Sequence, residues 1–182
     1  MRVLVPLANG VEELEAVTII DVLRRGGIEV ISASLAETLP VTGSRGVTLL
    51  ADATWSSLQP DDFDALVLPG GGKGTEHLAA DTRILDTIIS FHEADKFVAS
   101  ICAATTVLAQ TGILKGRRAT CYPTCAAELG ESYDAAAPVI ADGNVITSQG
   151  PGTAMLFALV LVQHFADEET AHRVADGLLT RF

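Results

Sequence analysis

Residues 3–33 read VLVPLANGVEELEAVTIIDVLRRGGIEVISA, and this stretch decides the fold. Val3-Leu4-Val5-Pro6-Leu7 is a short apolar run without alternation, the pattern of a strand covered on both faces. Asn9-Gly10 breaks it. Helical spacing follows, with Leu14, Val17, Ile20, Asp21 and Leu23 near one stripe, and Gly26-Gly27 closes the helix. Ile28 to Ala33 is a second strand. Strand, helix and strand form a βαβ unit, which predicts a parallel sheet with a right-handed crossover.

The pattern repeats outward. Residues 38–60 hold an excursion: Thr42-Gly43-Ser44-Arg45-Gly46 is turn chemistry, followed by a short strand, Val47-Thr48-Leu49. Ala65 to Leu68 is a third buried strand, stopped by Pro69-Gly70-Gly71-Gly72, with helices expected over 75–80 and 82–94. Phe97 to Ile101 is a fourth strand running at once into helical Ala103 to Gln110. Ala119–Tyr122 and Val145–Ser148 read as further short strands. Gly150-Pro151-Gly152 opens a last apolar helix through Phe165, and residues 167–179 form a terminal one. The expected class is an α/β, flavodoxin-like sandwich: a mostly parallel sheet, helices on both faces, and one domain over 1–182. Ligands in such sheets bind outside the carboxyl ends of the strands. That singles out residues 8–15, 69–75, 102–105 and 148–153.

Composition narrows the partners. The chain has 182 residues, 12 Lys and Arg against 23 Asp and Glu, and a formal net charge of −11. Such a surface repels phosphates, so neither nucleic acid nor an anionic membrane is an expected partner. The densest basic pair is Arg117-Arg118. Three cysteines, Cys102, Cys121 and Cys125, cannot all pair internally, which suits reduced thiols and a cytoplasmic setting. The longest apolar run, Ala154 to Val162, is far short of the ~20 residues that span a bilayer.

Two phosphate motifs fail. The turn after the first strand, Ala8-Asn9-Gly10-Val11-Glu12-Glu13, lacks the dinucleotide glycine pattern and is acidic, and Gly70-Gly71-Gly72-Lys73-Gly74-Thr75 lacks the Lys-Ser/Thr pair of a P-loop. Val98-Ala99-Ser100-Ile101-Cys102-Ala103-Ala104 is more specific. A buried strand meets a helix at a cysteine, with small residues two places to either side, as in a nucleophile elbow. The helix N-terminus favours a thiolate, so a thiol pKa well below the ~8.5 of free cysteine is expected. The competing reading is a buried cysteine acting as a small hydrophobe. Backbone N–H groups of Gly70-Gly71 could line an oxyanion site beside Cys102. Cys121 and Cys125 are a poor zinc pair; they read as two unrelated small residues or as a source of a resolving thiol. The four histidines, His77, His92, His164 and His172, fall on predicted helices.

Five segments in order resemble the ThiJ/PfpI family, in the branch of the parkinsonism-associated deglycase (DJ-one) and YajL. They are Asn9-Gly10-Val11-Glu12-Glu13-Leu14-Glu15, Asp21 to Ile28, Leu68-Pro69-Gly70-Gly71, Ser100-Ile101-Cys102-Ala103 and Ile146 to Thr153. The resemblance implies that Cys102 is an oxidation-sensitive nucleophile, that Glu15 is the carboxyl beside its sulfur, and that Gly71 and Ala103 supply backbone N–H donors. A carboxylate beside a thiolate repels it, so Glu15 should shift toward its protonated form. The implied activity is a glyoxalase or protein deglycase acting on small carbonyls or glycated protein, without metal, nucleotide or glutathione. The alternative is a redox sensor or chaperone. Tyr122 stands where many members carry His, which disfavours a peptidase. The resemblance also implies a homodimer in which the first helix packs on its twofold mate. Arg45 of one subunit would then lie near Arg25 of the other at the pocket mouth.

Overall fold

The computed structural model describes all 182 residues. The opening unit is β1 (Arg2–Leu7), α1 (Glu13–Arg25) and β2 (Glu29–Ser34). The excursion holds β3 (Pro40–Thr42), β4 (Thr48–Leu50) and the two-residue β5 (Ala53–Thr54). Then come β6 (Ala65–Leu68), α2 (Gly72–Ala80), α3 (Thr82–Glu93), β7 (Phe97–Ile101) and α4 (Thr105–Thr111). A single turn, α5 (Ala126–Leu129), precedes β8 (Val139–Asp142), β9 (Val145–Ser148), α6 (Ala154–Phe165) and α7 (Glu168–Gly177).

Seven strands form one sheet in the order β5-β2-β1-β6-β7-β9-β8. Every pair is parallel except β8–β9. The strands read as unbroken apolar runs because both faces are covered. Val3, Val5 and Leu7 point into a core with α1, α6 and α7, while Leu4, Leu66 and Val98 point into a second core with α2, α3 and α4. This is the flavodoxin-like arrangement expected from the βαβ repeat. β3 and β4 pair apart from the sheet as an antiparallel hairpin, Val41 opposite Leu49.

Three elements depart from the sequence reading. Ala119–Tyr122 is not a strand; a single bridge from Ala119 to Tyr133 is all that forms. The missing edge strand is β8, joined to β9 through Gly143 at φ 62° and Asn144. Asp142-Gly143-Asn144 between two apolar runs is its sequence signal. Between β7 and α4 the chain makes a 3-10 turn, Cys102–Ala104, before the α-helix starts.

The rotation of α1 also differs. Its buried residues are Glu13, Glu15, Ala16, Ile19, Val22 and Leu23, whereas Leu14 and Val17 are 52% and 48% exposed. The helix therefore turns two apolar side chains to solvent and two carboxylates inward. α6, apolar on almost every side, fills the space between the sheet, α1 and α7. Its Phe157 is fully buried. Phe157→Ala removes a whole ring from this packed layer and should cost about 3–5 kcal/mol, measured as a lower urea midpoint at unchanged slope.

Candidate active site

The carboxyl ends of β1, β6, β7 and β9 lie side by side, so the four loops that leave them converge. β7 ends at Ile101 and the chain swings sharply at Cys102, whose φ of 63° lies in the left-handed region. Beneath the swing, the buried Ser100 Oγ donates to Thr105 Oγ1 at 2.9 Å, tying the end of the strand to the start of α4. Cys102 itself is 9% exposed.

Glu15 comes from the first turn of α1 and has no exposed surface. The Gly70 N–H donates to its Oε2 at 2.7 Å. Its Oε1 is buried without a hydrogen-bond partner, and the Cys102 thiol stands beside the carboxyl. Gly70 makes this possible: a Cβ there would stand 2.8 Å from both Cys102 Cβ and Glu15 Oε2. Gly71, at φ 100°, lies so close to Gly10 that a Cβ would be 2.3 Å from that residue's carbonyl oxygen.

The electrostatics follow from burial. Burial pushes the Glu15 carboxyl from 4.5 up to about 7; the Gly70 N–H and the thiol pull it back, and the charge on Glu12 adds to the rise. Burial likewise pushes the Cys102 thiol up to about 12, with ionised Glu15 adding to the rise. The Ala103 and Gly71 backbone N–H groups beside the sulfur pull the other way. The expected low thiol pKa is thus overturned while Glu15 is a carboxylate. The following helix is only seven residues long and starts beyond a 3-10 turn, so its terminus does not outweigh burial and repulsion. A proton on Glu15 removes the repulsion and places an O–H donor beside the sulfur, so thiolate and carboxylic acid form as a pair.

Glu15, Gly71, Ala103 and Cys102 therefore meet in one place. Tyr122 joins them from the side: its N–H donates to the Cys102 carbonyl at 3.3 Å. Its ring comes within 3.1 Å of where a Gly150 Cβ would stand, and Cys102 Sγ is 3.9 Å from that same point. Gly150 is a wall that sequence reasoning passed over, since it offers no side chain. Glu13 was also not distinguished from its neighbours. It is buried, and it accepts from the Arg45 N–H at 2.8 Å and the Ser44 hydroxyl at 3.0 Å, anchoring the β3–β4 loop. Burial would raise its carboxyl, but these bonds outweigh burial and hold it below the ordinary value.

The two arginines do not join the cluster within one chain. The Arg45 side chain is exposed. Arg25 lies ten residues along α1 from Glu15, about 15 Å at 1.5 Å per residue, and is ion-paired with Asp21 at 2.6 Å. Asp21 thereby cancels the positive charge expected from it. Cys121 and Cys125 are free thiols, and Cys121 is buried with its S–H on the Tyr122 carbonyl. No group of three His, Cys, Asp or Glu side chains is arranged to hold a metal ion. No helix is long and apolar enough to cross a membrane.

A mostly parallel sheet whose inner strand β7 delivers a cysteine at positive φ beside a buried carboxyl defines a class of cysteine-centred α/β proteins. The DJ-1/PfpI family model matches residues 1–164, and the chain belongs to that family. It is 40% identical over 181 residues to Protein dj-1beta of Drosophila melanogaster, covering 98% of this chain and 97% of that one. The Parkinson disease protein 7 homolog of Danio rerio is 36% identical over 184 residues, covering 99% and 97%. The chain spans only 41% of Protein DJ-1 homolog B of Arabidopsis thaliana, at 37% identity. Among solved structures, oxidized Toxoplasma gondii DJ-1 superposes with a TM-score of 0.96 at 35% identity, over 100% of this chain and 99% of that one. The family includes enzymes with a cysteine nucleophile, and membership supports a DJ-1-type function related to oxidative stress.

Raising Glu15 from 4.5 to about 7 means that its ionisation opposes folding. The protonated carboxyl's contribution is complete below about 4.5 and is lost as pH rises through about 7. Glu15→Gln stays neutral and should exceed wild type at alkaline pH by up to about 3 kcal/mol. Urea unfolding on either side of that window measures it, and parallel pH profiles would contradict the assignment.

Proposed function

We propose that this protein is a cysteine-dependent enzyme acting on small reactive carbonyls, of the glutathione-independent glyoxalase or protein deglycase type, with an oxidation-sensitive nucleophile. One observation carries the reading: a cysteine at positive φ stands beside a fully buried carboxyl whose pKa is raised to about 7. A carboxyl near neutrality can both give and take a proton at working pH.

In this reading the Cys102 sulfur adds to the aldehyde carbon of methylglyoxal, and its proton ends on the new hydroxyl as a hemithioacetal forms. Glu15 takes the proton from the former aldehyde carbon and returns it to the neighbouring carbon, leaving a thioester. Water cleaves the thioester to lactate and restores the thiol, so the balance is methylglyoxal plus water to lactate. The Gly71 and Ala103 N–H groups hold negative charge at the sulfur while the Glu15 proton is in transit. Tyr122 offers no imidazole base, which supports carbonyl chemistry over peptide hydrolysis. Glycated protein and free small carbonyls are the proposed substrate classes, and the cytoplasm the proposed setting for these thiols.

Lactate release from methylglyoxal without glutathione should fall at least about a thousandfold in Cys102→Ser and in Glu15→Gln, with both variants folded. Unchanged lactate formation in Glu15→Gln would remove it from proton transfer. The second reading is a redox sensor or chaperone, in which one hydrogen peroxide oxidises the Cys102 thiol to the sulfenic acid and a second takes it to the sulfinate, each peroxide being reduced to water. The same two N–H groups that face the sulfur favour an oxyanion there. Ready oxidation with negligible lactate formation selects it.

We also propose a homodimer and a single domain spanning the whole chain. Leu14, Val17, Val47 and Leu50 are 48% to 73% exposed. Val17, Ile20, Leu49 and Leu50 line one hollow, so the outer face of α1 and the β3–β4 hairpin form a continuous apolar surface. A second copy covering that surface would bring Arg45 to the pocket mouth. Sedimentation at micromolar concentration should give a dimer, and Val17→Lys a monomer. Arg45→Ala should keep the dimer and lower turnover. A fully active monomer overturns the shared pocket.

A further inference from the structure

Beyond the Cys102 site, the same edge of the sheet carries two hollows that meet. One, of about 460 Å³, opens at the ends of β1 and β2 and is lined on its apolar side by Leu7, Leu35 and Val41. The other, of about 590 Å³, is lined by no hydrophobic residue and includes Thr42 and Lys73. Asn9 and His77 line both, so the two are arms of one cleft. Cys102 lines neither. Backbone bonds join the two loops that separate cleft and cysteine: Gly74 N–H donates to the Gly10 carbonyl at 3.2 Å, and Glu12 N–H donates to the Gly70 carbonyl at 2.9 Å.

The charges in the cleft are specific. Six of the twelve Lys and Arg side chains are ion-paired with carboxylates, and the Lys96 ammonium rests on two carbonyls. Lys73 has no such partner. His77 lies four residues further along α2, on the same face. Its Nδ1 is 2.9 Å from the Asn9 carbonyl, which only accepts, so Nδ1 carries the proton and Nε2 is left as an acceptor; Lys73 is the donor to an anion here. In the apolar arm, the only carboxylate, Asp81, is neutralised by Arg83 at 2.6 Å.

We infer that this cleft binds a small monocarboxylate with a short apolar chain, its head group on Lys73 and its chain against Leu35 and Val41. A single lysine balances one negative charge. A dianionic phosphate would remain undercompensated on a chain of net charge −11. The volumes fall within the range of small-molecule sites. The inference does not rest on turnover at Cys102.

Hexanoate is the probe, titrated calorimetrically into the full-length protein, with hexanamide and hexyl phosphate as comparisons. Hexanoate should bind wild type and Cys102→Ser alike. Lys73→Gln should weaken it about tenfold, the loss of one charge-assisted bond. Ala80→Phe, which fills the apolar arm from its exposed rim, should abolish binding; thermal unfolding checks that both variants fold. No binding at millimolar hexanoate overturns the site. Binding lost in Cys102→Ser but kept in Lys73→Gln moves the ligand to the cysteine and also overturns it. Equal affinity for hexanamide, or higher affinity for hexyl phosphate, overturns the monocarboxylate assignment.

Discussion

The structure turns on one buried proton. Glu15 sits without solvent between the Gly70 N–H and the Cys102 thiol. A carboxylate there is costly, since one of its oxygens has no nitrogen or oxygen partner. Burial therefore favours the protonated carboxyl, held beside the thiol. Everything near the pair serves that contact: two glycines without side chains, a backbone bent at Cys102, and a hydroxyl pair tying strand to helix beneath it.

That contact also sets how α1 lies on the sheet. Hydrophobic burial alone would favour turning Leu14 and Val17 inward. Instead, Glu15 faces the cysteine and Glu13 faces the β3–β4 loop, where it accepts from backbone and hydroxyl donors. Ala16, Ile19, Val22 and Leu23 then supply the apolar contact with α6. The displaced apolar residues are left on the outside, continuous with the hairpin. The polarity of the site and the apolar character of the outer surface are thus two sides of one helix rotation.

The zipper between the loops after β1 and β6 has a similar double role. Gly10, Gly71 and Gly74 bring two backbones into direct contact, closing the wall behind Cys102. The same wall leaves a separate cleft on its far side, with an unpaired lysine and a histidine of fixed tautomer. One sheet edge therefore presents two chemically distinct pockets, one centred on sulfur and one on a cation.

The amino-acid sequence by itself determined the sheet, because unbroken apolar runs alternating with helical spacing admit few other solutions. It also marked the elbow, because small residues around Cys102 reflect local crowding. The edge strand β8 escaped notice because its strand is short and partly exposed, and the Ala119–Tyr122 run failed as a strand because only one bridge forms there. Choosing Glu15 over Glu12 and Glu13 needed the family resemblance; local sequence treats three neighbouring carboxylates alike, and only packing tells them apart. The thiol's protonation was decided by tertiary structure alone. A helix terminus can be read from sequence, but burial and the distance to a carboxyl fifty-five residues from Gly70 in the chain cannot.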